Sequence, residues 1–155
     1  MDTDTKTEPL TKARREALNM LARRDHTKLE LTQKLKSKGH TSTDIATIIN
    51  ELETKKMLHE ARFVENFIYW RRNRGYGPER IRQELIQKGI TDEAIAEHLE
   101  IADNDWSADL RKVWQKHFKG KYPDNYKDKA RQMRFLHNRG FTGEQINSIF
   151  DNEET

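Results

Sequence analysis

The chain has 155 residues, of which 34% are hydrophobic and 35% charged, against roughly 45–50% apolar and about 25% charged in ordinary globular domains. It has no cysteine, which excludes a disulfide framework and a thiolate metal site, and no run approaches membrane-spanning length. Net charge is +3, too small an excess to identify a partner by itself.

Residues 1–9 are polar, include acids and lack the apolar stretch of a signal peptide, which predicts a disordered tail on a cytosolic protein. From residue 10 the apolar positions recur with helical spacing. Ala17, Leu18, Leu21 and Ala22 form the stripe of a first helix, Thr27 with Glu30 has the spacing of a capping box, and Gly39 ends the second helix. Thr41 then caps a third helix, whose buried face carries Ile45 and Ile49.

The same order returns twice. Phe63, Phe67 and Trp70 fall within about 60° on a helical wheel and read as core, Gly77 precedes Pro78 at a helix start, and Gly89 and Thr91 introduce Ile95 and Leu99. Leu110, Val113, Trp114 and Phe118 form the next stripe, Asp128 is the expected cap, and Gly140 and Thr142 introduce Ile146 and Phe150. Thr142 with Gln145 again has capping-box spacing.

The string L-x-x-[KR]-G-x-T at Leu35–Thr41, Leu85–Thr91 and Leu136–Thr142 marks each corner, so the period is about fifty residues. No segment alternates as a strand does. The fold class is therefore all-α, with nine helices in three tandem three-helix repeats at residues 10–58, 59–102 and 105–152, small cores strung along an elongated, curved array, and a second tail over 152–155. The longer connection from Gly120 to Lys127 predicts a different tilt for the first helix of the third repeat.

Lys and Arg outnumber Asp and Glu by 11 to 6 in the first repeat and 10 to 6 in the third, while the second has 7 against 8. Within the second, Arg71, Arg72, Arg74, Arg80 and Arg82 are opposed between residues 71 and 82 only by Glu79. They are interleaved with Tyr69, Trp70 and Tyr76 around the turn Gly75-Tyr76-Gly77-Pro78, a mixture suited to phosphate backbones and to protein interfaces. Arg80 and Arg82 lie about 200° apart on their helix, so at most one joins the Arg71/Arg72 patch. Solvated charges shielding a small core are the competing account of the same cluster. Tyr76, between two glycines, is the better aromatic candidate for contact.

Catalytic signatures are missing: the chain has no phosphate-cradling G-x-x-x-x-G-K-[ST] loop, no G-x-S-x-G elbow and no H-E-x-x-H helix. His26, His40, His59, His98, His117 and His137 are scattered and read as surface residues, and Glu51/Glu53 and Glu97/Glu100 sit in charged helical runs. The residues predict no enzyme, no metal and no cofactor.

Several segments resemble one family. Arg62-Phe63-Val64, Phe67-Ile68, Gly75-Tyr76-Gly77-Pro78, Arg80-Ile81-Arg82, Glu84-Leu85 and Lys88-Gly89-Ile90 resemble the central block of the RecX family of bacterial recombinase regulators. Arg24-Asp25-His26, Glu30-Leu31 and Lys34-Leu35 resemble its first unit, and Arg134-Phe135-Leu136 with Arg139-Gly140-Phe141 its third, so the likeness covers residues 13–152. The resemblance implies a cytoplasmic protein that lies in the groove of a RecA-type recombinase filament on single-stranded DNA. It would restrain ATP hydrolysis, strand exchange and coprotease activity, and so modulate recombination and the SOS response. Candidate contacts are Arg71, Arg72, Arg74, Tyr76, Arg80, Arg82 and Lys88 in the second repeat and Arg131, Arg134 and Arg139 in the third, with Lys28, Lys34 and Lys38 weaker candidates. The chain is expected to be a monomer that meets DNA directly or through the filament. A sequence-tolerant single-stranded nucleic-acid binder and a helical adaptor for another protein are the alternatives. A reader of specific operators fits less well, because no single helix gathers Arg, Asn and Gln on one exposed face.

Overall fold

The computed structural model describes residues 2–101, 103 and 105–151, with side chains from residue 8 onward. Among these residues it contains nine helices and no strand: α1 (Asp2–Arg23), α2 (Lys28–Ser37), α3 (Ser42–Thr54), α4 (Glu60–Asn73), α5 (Pro78–Gln87), α6 (Asp92–His98), α7 (Asp105–Phe118), α8 (Tyr126–Asn138) and α9 (Gly143–Asp151). The expected tail at 152–155 lies outside the described residues. Where the composition predicts a tail over residues 1–9, the backbone is helical from Asp2, with Pro9 inside α1. Proline lacks the amide hydrogen and crowds the preceding turn, and among the described side chains Leu10, just after it, packs against the core. Contacts divide the chain into two compact units, residues 1–65 with 87–91 and residues 66–86 with 92–155.

In the first unit α1, α2 and α3 pack pairwise around Ala13, Ala17, Leu31, Leu35, Ile45, Ile48 and Leu52, with Leu18, Leu21 and Ile49 half-buried against them. The α1 stripe is rotated from the expected one: Ala22 is exposed and Ala13 takes the inward position. Small side chains on α1 let the larger aliphatic residues of α2 and α3 approach its backbone, so a modest apolar content still fills the core.

Local chemistry sets the corners of this unit. Thr27 Oγ1 accepts from the Glu30 amide while Glu30 Oε1 accepts from the Thr27 amide, a closed capping box at the start of α2. At the other end Gly39 has φ +92°, His40 N–H donates to Leu35 C=O at 3.2 Å and Gly39 N–H to Lys36 C=O at 3.0 Å. These are the two hydrogen bonds of a Schellman motif. Thr41 then accepts from the Asp44 amide and starts α3.

Two histidines expected at the surface are internal, because each completes a polar network. His26 is 2% exposed; its Nε2 lies 2.9 Å from the Lys34 ammonium, which only donates, so Nδ1 carries the proton and donates to Arg24 C=O at 3.0 Å. Burial, foremost, holds the His26 pKa below the ordinary value. His40 Nε2 lies 2.6 Å from Glu16 Oε2, with 7% of its side chain accessible, and that hydrogen bond is the main reason the Glu16 carboxyl titrates below its usual range. Glu30 is the acidic hub: burial pushes its pKa up, but hydrogen bonds from Arg24 and the Thr27 amide and the charges of Arg24 and Lys88 outweigh that and bring it down to about 2.

In the second unit α7, α8 and α9 pack pairwise. Leu110 and Trp114 are buried as the stripe predicts, Val113 and Phe118 are half-buried, and Trp106, one turn earlier, is buried too. The connection from Lys119 to Asn125 is longer than that between α4 and α5. It is fastened by Gln132, whose Oε1 accepts from Trp114 Nε1 at 2.9 Å and whose Nε2 donates to Lys121 C=O at 3.1 Å. The helix after it starts earlier than expected: Asn125, not Asp128, is the cap, because Asn125 Oδ1 accepts from the Asp128 amide at 2.7 Å and Asp128 sits in the first turn. Thr142 and Gln145 form the second capping box.

The α4 stripe also differs from the wheel. Phe63, Val64 and Ile68 are buried and Phe67 is half-buried, whereas Trp70, read as core, is 63% exposed. The helix presents the 64/68 row inward, which turns position 70 outward.

Replacing Thr27 with Ala should cost about 1 kcal/mol of stability, measured by chemical denaturation, since it opens the capping box. Glu30→Gln should destabilise the chain at neutral pH. Because the folded pKa of Glu30 is depressed, its contribution is complete above pH 4.5 and disappears as pH falls toward 2. The difference in melting temperature between the native chain and Glu30→Gln should therefore narrow through that window, and a constant difference would contradict the assignment.

Candidate functional site

The turn from Gly75 to Pro78 brings the basic residues of the second unit together. Helix α4 ends there in a Schellman motif, with Tyr76 N–H donating to Arg71 C=O at 3.1 Å and Gly75 N–H to Arg72 C=O at 2.9 Å. The next peptides pair with the corner after α8: Gly77 N–H donates to Arg139 C=O at 2.7 Å and Glu79 N–H to Gly140 C=O at 2.9 Å. One of the orphan amides at the start of α5 is thus satisfied by backbone remote in sequence. The approach leaves no room for a methyl group. A Cβ on Gly77 would lie 2.4 Å from the Gly140 carbonyl carbon, and one on Gly140 would lie 2.4 Å from Arg80 Cβ and 2.7 Å from Arg80 N.

Tyr76 is the hub of the resulting cluster. The guanidinium carbons of Arg80, Arg71 and Arg139 lie 4.3, 5.2 and 5.3 Å from its ring centroid. The electron-rich face of an aromatic ring attracts cations, and each such contact contributes about 0.5–2 kcal/mol depending on desolvation. Glu84 is the cluster's carboxylate: Arg80 Nε donates to its Oε1 at 3.2 Å, and Arg71 Nε lies 2.8 Å from its Oε2. The Arg71 contact is an ion pair without hydrogen-bond alignment, for Oε2 is buried and accepts no hydrogen bond from the described residues. Arg80 also donates to Asn138 C=O and Arg139 to Arg74 C=O, and Arg139 lies over Phe135 as well. Two of the three guanidinium groups, Arg71 and Arg80, thus share one carboxylate, while Arg139 is held by aromatic rings and a backbone carbonyl, so the cluster keeps an excess of positive charge.

The remaining candidates separate by their partners. Arg72 Nε donates to Asp109 at 2.8 Å and its guanidinium lies 4.3 Å from the Trp106 ring centroid, which makes it a clamp between α4 and α7. Arg82 pairs with Asp92 and Arg131 with Asp128. The division of Arg80 and Arg82 expected from the wheel is present, with Arg80 at Tyr76 and Arg82 elsewhere. Arg74 and Arg134 are exposed and form no ion pair among the described residues. Lys88 belongs to the other compact unit, where its ammonium contacts Glu30 and lies over the Phe63 ring. In that unit Lys28 pairs with Glu53, Lys34 is committed to His26, and Lys38 is exposed.

Two features escaped the sequence reading. Glu84 lies just beyond the 71–82 window, although its spacing of four from Arg80 announced an ion pair. The convergence of Arg139 on Tyr76 depends on packing between segments sixty residues apart and has no local signal. Among the described residues no group of three His, Asp or Glu side chains is placed to hold a metal, and no helix is long and apolar enough to cross a membrane.

Comparison with known proteins adds three matches in chain order. Residues 13–52, 60–99 and 105–150 match the family profiles described as the first, second and third three-helix domains of RecX. The chain is 41% identical over 141 residues to the regulatory protein RecX of Pseudomonas entomophila, covering 91% of both chains. It is 39% identical over 141 residues to that of Pseudomonas putida strain KT2440, covering 91% of this chain and 90% of the relative. Two solved structures share the fold: a crystal structure of regulatory protein RecX, with TM-score 0.84 and 21% identity over 95% of this chain and 75% of the other, and that of RecX from Lactobacillus salivarius, with TM-score 0.76 and 22% identity over 94% and 97%.

Gly140→Ala and Gly39→Ala separate the two demands on a corner glycine. A methyl group on Gly39 would meet nothing within 4 Å, so this substitution should cost only the roughly 1–2 kcal/mol of a left-handed L-residue. Gly140, at φ +106° and against Arg80, should cost clearly more in the same denaturation experiment. Equal losses would mean that the close approach to Arg80 relaxes freely.

Proposed function

The chain belongs to the RecX family of regulatory proteins, and we propose that it binds a RecA-type recombinase filament on single-stranded DNA and restrains its ATP hydrolysis, strand exchange and coprotease activity. The observation that carries this reading is the ordered match of all three three-helix domains, at about 40% identity across nine-tenths of the chain. The chain acts in the cytoplasm, as a monomer and without a cofactor, through repeats at residues 10–58, 59–102 and 105–152.

The cation arrangement supports this reading. Arg71, Arg80 and Arg139 form a pre-organised positive patch, so little side-chain entropy is lost when an anionic surface meets it. Arg74 and Arg134 add charge that no carboxylate among the described residues neutralises. Weak contacts from successive repeats add through effective concentration. A ligand that prefers one filament state shifts the filament toward it by its differential affinity, with no chemistry of its own.

The test is a titration into recombinase preassembled on single-stranded DNA, following ATP hydrolysis at near-physiological salt beside a basic control protein of matched charge. Inhibition well below one molecule per protomer is expected. No effect beyond the control, with direct DNA binding that falls steeply with salt, would leave a nucleic-acid binder. Arg74→Glu combined with Arg134→Glu should raise the half-inhibitory concentration about ten-fold or more, as the loss of charge-assisted contacts predicts, with an unchanged melting temperature. Arg72→Glu is a poor substitute, because it breaks the Asp109 clamp and would confuse folding with binding.

A further inference from the structure

We propose that Tyr69 and Trp70 form a stacking platform for the unpaired bases of single-stranded DNA. Both rings project from α4 and are 61% and 63% exposed, and they meet edge to face at 5.8 Å and 77°. The other two tryptophans are the opposite case: Trp106 and Trp114 are each 2% exposed, with their indole N–H groups donating to Glu100 C=O and Gln132. Trp70 leaves its aromatic face in water, although Phe63, Val64 and Ile68 on the same helix are buried.

The surroundings of the pair select the ligand. Asn66, Trp70 and Arg74 recur every fourth residue and so share one row of α4, while Asn73 follows Tyr69 in the next; all five are exposed. From Asn66 to Gly75 there is no carboxylate. Arg71 and Arg72 turn away to Glu84 and Asp109, but Arg74 has no ion pair among the described residues. Ring faces for bases, amides for base edges and a free guanidinium for phosphate are the groups that single-strand binders combine. An apolar pocket on a protein partner would instead favour a ring pair rimmed by aliphatic side chains; here the flanking exposed residues of α4 are the amides Asn66 and Asn73 and the Arg74 cation, with one carboxylate, Glu65, four residues before Tyr69.

The proposal rests on the preceding reading only for the choice of single-stranded DNA as ligand, and it is tested without recombinase. Because the other two tryptophans are buried, the emission change on binding reports mainly Trp70. The full-length protein is titrated at fixed low salt with an oligothymidylate and with an abasic oligomer of the same length and charge. Quenching is expected with the oligothymidylate and little with the abasic strand. By fluorescence anisotropy, Trp70→Ala should weaken oligothymidylate binding roughly ten-fold or more, the range measured for losing one stacked base. Trp70→Phe should restore most of that affinity, and both variants should melt with the native chain. Equal affinity for the two oligomers, no quenching, or a change in Trp70 emission that appears only when recombinase is added would overturn the proposal. A chain that stacks bases yet leaves filament ATP hydrolysis untouched would instead refute the regulator reading, so the two failures are distinct.

Discussion

At the corners of Gly39 and Gly140 the turn is closed by a hydrogen bond back to the leucine that opens the motif, and the packing of both three-helix cores depends on this link. At Leu35 and Leu136 the carbonyl accepts from the amide just after the glycine, and both side chains are fully buried. One residue therefore anchors the core and receives the bond that stops the helix. The glycine supplies the left-handed step and Thr41 or Thr142 caps the next helix, so direction changes within four residues. With only 34% hydrophobic residues, the chain has little apolar surface with which to impose such turns from outside. Local backbone chemistry fixes them, and a small core suffices to hold the helices together.

Where positive charge stays exposed follows from how charges are consumed. Lys and Arg are in excess in the first and third repeats and clustered in the second, yet many of these cations are paired within the fold. Arg14 pairs with Glu51, Arg62 with Asp25, Arg72 with Asp109 and Arg82 with Asp92. Surface pairs of this kind contribute little stability individually, but they decide which positive charge is left unneutralised at the surface. At Tyr76 the supply of carboxylates runs short, and the guanidinium groups lean on a ring and on carbonyls. Aromatic support fixes a cation without cancelling its charge, whereas a carboxylate does both.

The repeat, its corner glycines and the Thr27 and Thr142 caps were legible because each rests on interactions within a few residues. Errors arose where three-dimensional context chose between local options that were nearly equal. Asn125 and Asp128 are both good caps, and the chain between Phe118 and Tyr126 settled in favour of the earlier one. Phe63, Phe67 and Trp70 fall within about 60° of the wheel, but Val64 and Ile68 lie beyond Phe67 on the side away from Trp70, and the buried face of α4 centres toward them, which leaves Trp70 outside its edge. His26 looked like a surface residue because the partners that make its burial tolerable, Arg24 C=O and Lys34, are polar themselves. The cation cluster was legible in part: composition located the corner, while Arg139 joined it through tertiary packing alone.

The contact between the turn at Gly77 and the corner at Gly140 has a consequence for how this sequence can drift. Two turns whose backbones pass this close, with a Cβ on Gly77 meeting the Gly140 carbonyl and one on Gly140 meeting Arg80, form a single target for mutation, although sixty-three positions separate the glycines in the chain. A side chain gained at either place finds the opposing main chain in its way, and no smaller residue exists with which the other place could make room. Compensation between the two is therefore closed off, and divergence in this half of the molecule is channelled into the side chains around the contact, which leaves the outward-facing residues free to be retuned for a partner.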